Sequence, residues 1–142
     1  MIARFLAFFL LFLATCTANA QDSALSDGDR AAIRDVIGRQ VEAFRRDDGD
    51  AAFGLASPDI QRLFGTSQTF MDMVRRAYQP VYRPRTFDFG KVVELNGQPT
   101  QKVHVVGPDG RRVYAFYAMT RLPDGSWRID GCFLQAPEEH QV

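Results

Sequence analysis

Residues 123–132 read Pro123-Asp124-Gly125-Ser126-Trp127-Arg128-Ile129-Asp130-Gly131-Cys132, a turn followed at once by alternating apolar and polar residues. Pro-Asp-Gly forms a three-residue hairpin loop with glycine in the left-handed position, so the strand beginning at Trp127 folds back on the one ending at Leu122. Setting Leu122 opposite Ser126 places Ile129 opposite Met119, Gly131 opposite Tyr117 and Phe133 opposite Ala115. With Trp127 and Val113 these residues define one apolar face, where the Tyr117 ring is expected to lie over the bare backbone of Gly131. Arg128, Asp130, Cys132 and Leu134 fall on the other side, opposite Thr120, Ala118, Phe116 and Tyr114.

Two further turn signals, Asn96-Gly97 and Pro108-Asp109-Gly110, divide the chain from Thr86 onward into four strands of period two, and such short connections make neighbours antiparallel. The second loop sets His104 opposite Tyr114 and Lys102 opposite Phe116, giving the outer face a row Lys102, Phe116, Cys132. The strand from Thr86 to Leu95 has two registers. A two-residue Asn96-Gly97 turn alone puts Phe87 and Phe89 outside, whereas a bulge at Gly90 returns them to the core.

Before Thr86 the period is helical. Ser26 caps a helix with Asp27 and Asp29 in its first turn, and Ile33, Val36, Ile37, Val41 and Phe44 make an apolar stripe with Gln40 at its centre. A short helix follows over 50–56. Ser57-Pro58 then opens another with proline at its first position, closed by Gly65. Thr66 or Ser67 starts a third segment with a stripe of Phe70, Met73, Val74, Ala77, Tyr78 and Val81, which Pro80 and Pro84 end or bend. Helices followed by a four-stranded antiparallel meander are an α+β arrangement, with the helices on one sheet face.

The first twenty residues carry a single charge, Arg4, before the apolar stretch Phe5 to Ala14 and then Ala18-Asn19-Ala20. This is the pattern of an export signal cleaved before Gln21, too short in its apolar part to span a membrane. The expected location is periplasmic or secreted. The alternative is a lipoprotein modified at Cys16, with Thr15 standing where a smaller residue is usual. Residues 21–142 are expected to form one domain with its core over 25–134 and a frayed tail at 136–142.

Seventeen basic residues meet seventeen acidic ones, and loss of Arg4 tips the balance by one towards acid. Bulk charge therefore favours neither nucleic acid nor an anionic membrane surface. No Cys/His cluster stands at metal-ligand spacing, no phosphate-cradling glycine loop or nucleotide fingerprint is present, and no cofactor is expected. Cleavage removes Cys16 and leaves Cys132 without an internal disulfide partner. From its place on the outer face, packing in or near a subunit interface is the favoured role, with a reactive or crosslinking thiol and a pocket-lining thiol as alternatives. His104 lies too far along that face to activate it.

Ser57-Pro58-Asp59-Ile60-Gln61, Tyr82-Arg83-Pro84, Tyr117 and above all Asp124-Gly125-Ser126-Trp127-Arg128-Ile129-Asp130-Gly131-Cys132 resemble the proteobacterial domain-of-unknown-function family 4864. The arrangement as a whole is similar to the nuclear transport factor 2-like, or ketosteroid-isomerase-like, superfamily of cystatin-like fold. That resemblance implies a cone-shaped pocket between the first helix and the concave sheet face, used by some members for acid/base catalysis and by others for binding or assembly. Where members carry charged pocket groups, these often follow Trp-x-Ile at alternate positions. Here those positions are Gly131 and Phe133, neither of which moves a proton.

The expected ligand-binding residues are accordingly Gln40, Tyr78 and Tyr117. Gln40 is an amide that can donate or accept, or else a group tied to nearby backbone. The tyrosines offer hydroxyls, or pack in the core with those hydroxyls satisfied. The leading expectation is a non-catalytic binder of a small apolar molecule or a protein partner, forming a homodimer through the outer sheet face. A pocket isomerase, dehydratase or hydrolase using Asp88 is one alternative, and Asp130, read as a partner of Arg128 or of solvent, is the other carboxylate weighed. A purely structural module with a filled pocket is the second.

Overall fold

The computed structural model of the protein describes residues 25–138. The expected export signal, Cys16, His140 and the end of the tail lie outside these residues. Five helices precede the sheet: α1 (Asp27–Arg45), α2 (Gly49–Gly54), α3 (Pro58–Phe64), α4 (Ser67–Ala77) and α5 (Gln79–Tyr82). Four strands follow, β1 (Thr86–Leu95), β2 (Gln98–Val106), β3 (Arg112–Arg121) and β4 (Trp127–Gln135). They form one antiparallel sheet in the order β1-β2-β3-β4. No described helix is long and apolar enough to cross a membrane.

The local signals act as their chemistry requires. Ser26 and Asp29 exchange side-chain and backbone hydrogen bonds in a capping box that closes the first turn of α1. The same Asp29 receives Arg121 at 2.5 Å and the Trp127 indole at 3.3 Å, tying the helix start to the last hairpin. The far end of α1 is held by Tyr82 and Arg83. The Tyr82 hydroxyl and the Arg83 guanidinium both donate to Asp47, and Arg83 also donates to the Phe44 carbonyl at 2.5 Å. α1 thus lays Ile33, Ile37, Gln40 and Phe44 on the sheet, where Val103, Val105, Ala115, Tyr117 and Met119 are buried.

Two bulges decide which side chains face the helices. In β1 the pairing runs Phe89 with Val103 and then Val92 with Gln101, so Gly90 and Lys91 together oppose Lys102. Gln101 stabilises this bulge by donating at 2.8 Å to the Gly90 carbonyl. A side chain at Gly90 would meet His104 Nε2 at 2.9 Å. The bulge is therefore the register adopted, and Phe87 packs edge-on against Tyr117 in the core. Asn96 and Gly97 both have positive φ, the requirement of the two-residue turn that joins β1 to β2.

The second bulge corrects the expected register of β4. Met119 pairs with Ile129, but Ala118 pairs with Gly131, so Asp130 is an extra residue without a partner across the strand. Everything beyond it turns over. Cys132 pairs with Tyr117 and Phe133 with Phe116, so Cys132 faces the helices and Phe133 the outside. Phe133 is 47% exposed and stacks on Phe116 at 4.7 Å, which replaces Cys132 at the end of the row begun by Lys102. A Cβ at Gly131 would find only an ordinary contact at 3.9 Å with Ala118, so no Tyr117 ring requires glycine there.

What holds the bulge open is Asp130 itself. It accepts from the Ser57 hydroxyl at 2.6 Å and from the Gln98 amide at 2.9 Å, not from Arg128 as expected from the sequence. Arg128 instead reaches the Gly54 carbonyl at the end of α2. Beside the bulge, Ile129 N–H donates to the Leu55 carbonyl and Ser57 N–H donates to the Ile129 carbonyl. The segment between α2 and α3 thereby covers the edge of β4. Ser57 is fully buried and also accepts from Ile60 N–H as the cap of α3. Ser57→Ala removes both bonds and leaves Asp130 short of a donor; chemical denaturation should show a loss of about 2 kcal/mol. A loss below a few tenths would mean that the bulge does not depend on this contact.

Candidate functional site

Between α1, α3, α4 and the last two strands lies a cavity of about 400 Å³. Its wall is almost wholly hydrocarbon and aromatic: Phe44 from α1, Phe64 from α3, Phe70 and Val74 from α4, and Ile129 from β4 are among its residues. Leu63 of α3 also lines it and is 73% exposed, so the cavity reaches the surface there. Volume and apolar lining are of the kind that holds small organic molecules.

Gln40, Tyr78 and Tyr117 all lie on this cavity, brought together from α1, the end of α4 and β3. They differ in how far the protein satisfies them. The Tyr78 hydroxyl donates to the Cys132 carbonyl at 2.8 Å, and burial raises its pKa. The Gln40 amide donates to the Ala52 carbonyl at 3.2 Å. That bond fixes which end of the amide is which, and among the described residues no donor reaches Gln40 Oε1. Gln40 is only 3% exposed, yet its oxygen is not among the sealed, unpartnered atoms; it opens on the cavity that Gln40 lines.

Tyr117 is the unusual member. Its side chain is 1% exposed, and its hydroxyl is sealed from solvent with no hydrogen-bond partner. Burial, followed by the neighbouring Cys132 thiol, raises its pKa well above the ordinary value. The thiol stands near enough to influence the hydroxyl's ionisation, but no regular hydrogen bond joins them, and sulfur is a weak partner in any case. A buried hydroxyl without a partner costs free energy. Gln101, paired with Tyr117 across the sheet, also leaves its Oε1 unpartnered, though it is not part of the cavity wall.

Cys132 belongs to the site, where the sequence register had placed it on the outer face. Burial pushes its thiol up from 9.0 to about 12, with Tyr117 opposing the shift slightly. Such a thiol is neutral and a poor nucleophile at ordinary pH. Asp88 lies outside the site, because the bulge that turns Phe87 and Phe89 inward turns Asp88 outward, opposite His104. It lines a separate surface groove with Tyr114 and Arg112. Asp88 and Asp130 do not pair, since Asp130 is engaged by Ser57 and Gln98. Among the described residues no group of three or more His, Cys, Asp or Glu is placed to hold a metal ion.

The chain matches the family model described as Domain of unknown function (DUF4864) over residues 26–142. It belongs to that family. No curated protein and no solved structure matches it at a significant level.

Two measurements follow from this geometry. Tyr117→Phe keeps the ring and deletes a buried hydroxyl that has no partner, so the ligand-free variant should match or exceed the parent stability, by up to about 1 kcal/mol. A loss of more than about 1 kcal/mol would show that the hydroxyl is bonded. Cys132 sets a pH dependence. Its folded pKa lies above the unfolded one, so the folded state binds the proton more tightly and stability falls as pH rises from 9 towards 12. Native protein should resist a thiol reagent at pH 8 while denatured protein reacts completely; fast native labelling would contradict the buried placement.

Proposed function

We propose that this protein is an exported binding domain, periplasmic or secreted after cleavage near Ala20, that holds a small and mostly apolar molecule without transforming it. One observation carries this proposal: an apolar cavity that contains a buried tyrosine hydroxyl with no partner in the protein. A purely structural module would fill such a space with its own Phe and Met side chains, which are abundant around it. A catalyst would place an acid or base of accessible pKa on it. The titratable groups on the wall are instead Tyr78, Tyr117 and Cys132, all with pKa values raised away from neutrality. The helices packed against a four-stranded meander, with the cavity between them, favour membership of the nuclear transport factor 2-like superfamily.

A second contact is proposed on the outer sheet face. Phe116 and Phe133 stack there, the Lys102 ammonium lies 4.0 Å over the Tyr114 ring, and Phe133 stands half in water. This aromatic strip supports association with a second copy of the chain through the sheet. Phe133→Asp should shift sedimentation of the micromolar protein from dimer to monomer. A parent protein that sediments as a monomer would remove the proposal.

Native mass spectrometry of protein purified from its own compartment, followed by denaturing extraction, tests the binding function. A stoichiometric small molecule is expected. Empty protein that also takes up no apolar probe would turn the assignment towards a structural module.

A further inference from the structure

The cavity wall says more about its occupant than that it is apolar, and the step taken here rests on the binding function proposed above. Two polar atoms on the wall are left without protein partners, and their chemistry differs. Gln40 Oε1 can only accept, because the other end of the amide is held by the Ala52 carbonyl. The Tyr117 hydroxyl can donate, and no acceptor of regular geometry in the described protein takes its proton. One ligand group that both donates and accepts would satisfy the two together. The residues on the wall include no Lys, Arg, His, Asp or Glu, so a charged group brought into it would lose hydration with no counter-charge to replace it.

We infer that the cavity selects an uncharged apolar molecule bearing a hydroxyl group, which donates to Gln40 Oε1 and accepts from the Tyr117 hydroxyl. Its hydrocarbon part lies among Phe44, Phe70, Val74 and Ile129, and its entry is past Leu63. The volume accommodates on the order of a dozen non-hydrogen atoms. Tyr78 takes no part in recognition, since its hydroxyl is already given to the Cys132 carbonyl. Selectivity against carboxylates and amines of the same length follows from the missing counter-charge, and selectivity over plain hydrocarbon follows from the two unpartnered atoms.

Calorimetric titration of the purified protein with an eight-carbon series separates these claims: octan-1-ol, octane, octanoate and octylamine, each against parent protein and Tyr117→Phe. Octan-1-ol should bind at one site, at least tenfold more tightly than octane and about a hundredfold more tightly than either ion. Tyr117→Phe should weaken octan-1-ol about tenfold and leave octane unchanged. Thermal stabilisation by the same probes provides a second readout that does not depend on binding heat. If octane and octan-1-ol bind equally, or Tyr117→Phe leaves octan-1-ol unaffected, the hydroxyl inference fails while the apolar binding site stands. Tightest binding of octanoate or octylamine overturns it as well. Binding of none of the four overturns both the inference and the binding function beneath it.

Discussion

The hydrogen bond from Ser57 to Asp130 organises more of this molecule than its size implies. A carboxylate in the middle of a strand, in a position with no cross-strand partner, is unstable unless its oxygens are met by donors. Ser57 and Gln98 meet them. Ser57 comes from the loop that covers the edge of β4, and Gln98 from the start of β2, so one side chain joins the helical layer, the central sheet and the edge strand. Because the bulge inserts one residue, every side chain after it changes face. The cavity therefore contains Cys132 and the outer face contains Phe133, the reverse of an unbroken hairpin.

Much of the fold was legible because its signals are local. Ser26, Ser57 and Thr66 cap helices, Gly65 ends one, and three glycine-containing turns separate four strands, all matching the structure. The site was partly legible for the same reason. Gln40 on an apolar stripe must face whatever the helix covers, and Tyr117 falls on the inner face of β3 under any register of its partners. The register of β4 was not legible from alternation, since Ile129 to Leu134 alternates acceptably either way. One signal was present, the Asp130-Gly131 pair within a strand, because an isolated glycine there marks a bulge. The same logic applied to Gly90 gives the correct face for Phe87. What no local pattern contains is the pairing of Asp130 with Ser57, 73 positions apart.

The electrostatic character of the cavity follows from its construction. Each ionisable group on its wall is a weak acid held away from water, so burial favours the neutral form and raises every pKa. None is paired with a base that would reverse this. The charged residues of the chain lie elsewhere, in exposed pairs such as Arg39 with Asp35 and Arg62 with Asp59, where they contribute little to stability. The division leaves a neutral interior within a charge-balanced shell.

Empty space of this kind is costly in a small domain. Cavities created in protein cores destabilise by about 24 cal/mol per Å³. A sealed void of some 400 Å³ would thus cost on the order of 10 kcal/mol, comparable with the whole stability of a typical domain. An opening at Leu63 relieves part of this by admitting water, but water gains little from walls of Phe, Val and Ile. Described Cys132 has no disulfide partner to offset the deficit. The side chains around the space are large enough to fill it, yet they are held back by the capped helices and by the latch at Asp130. A fold that maintains such a cavity, with a tyrosine hydroxyl unbonded at its wall, gains most when something apolar occupies it.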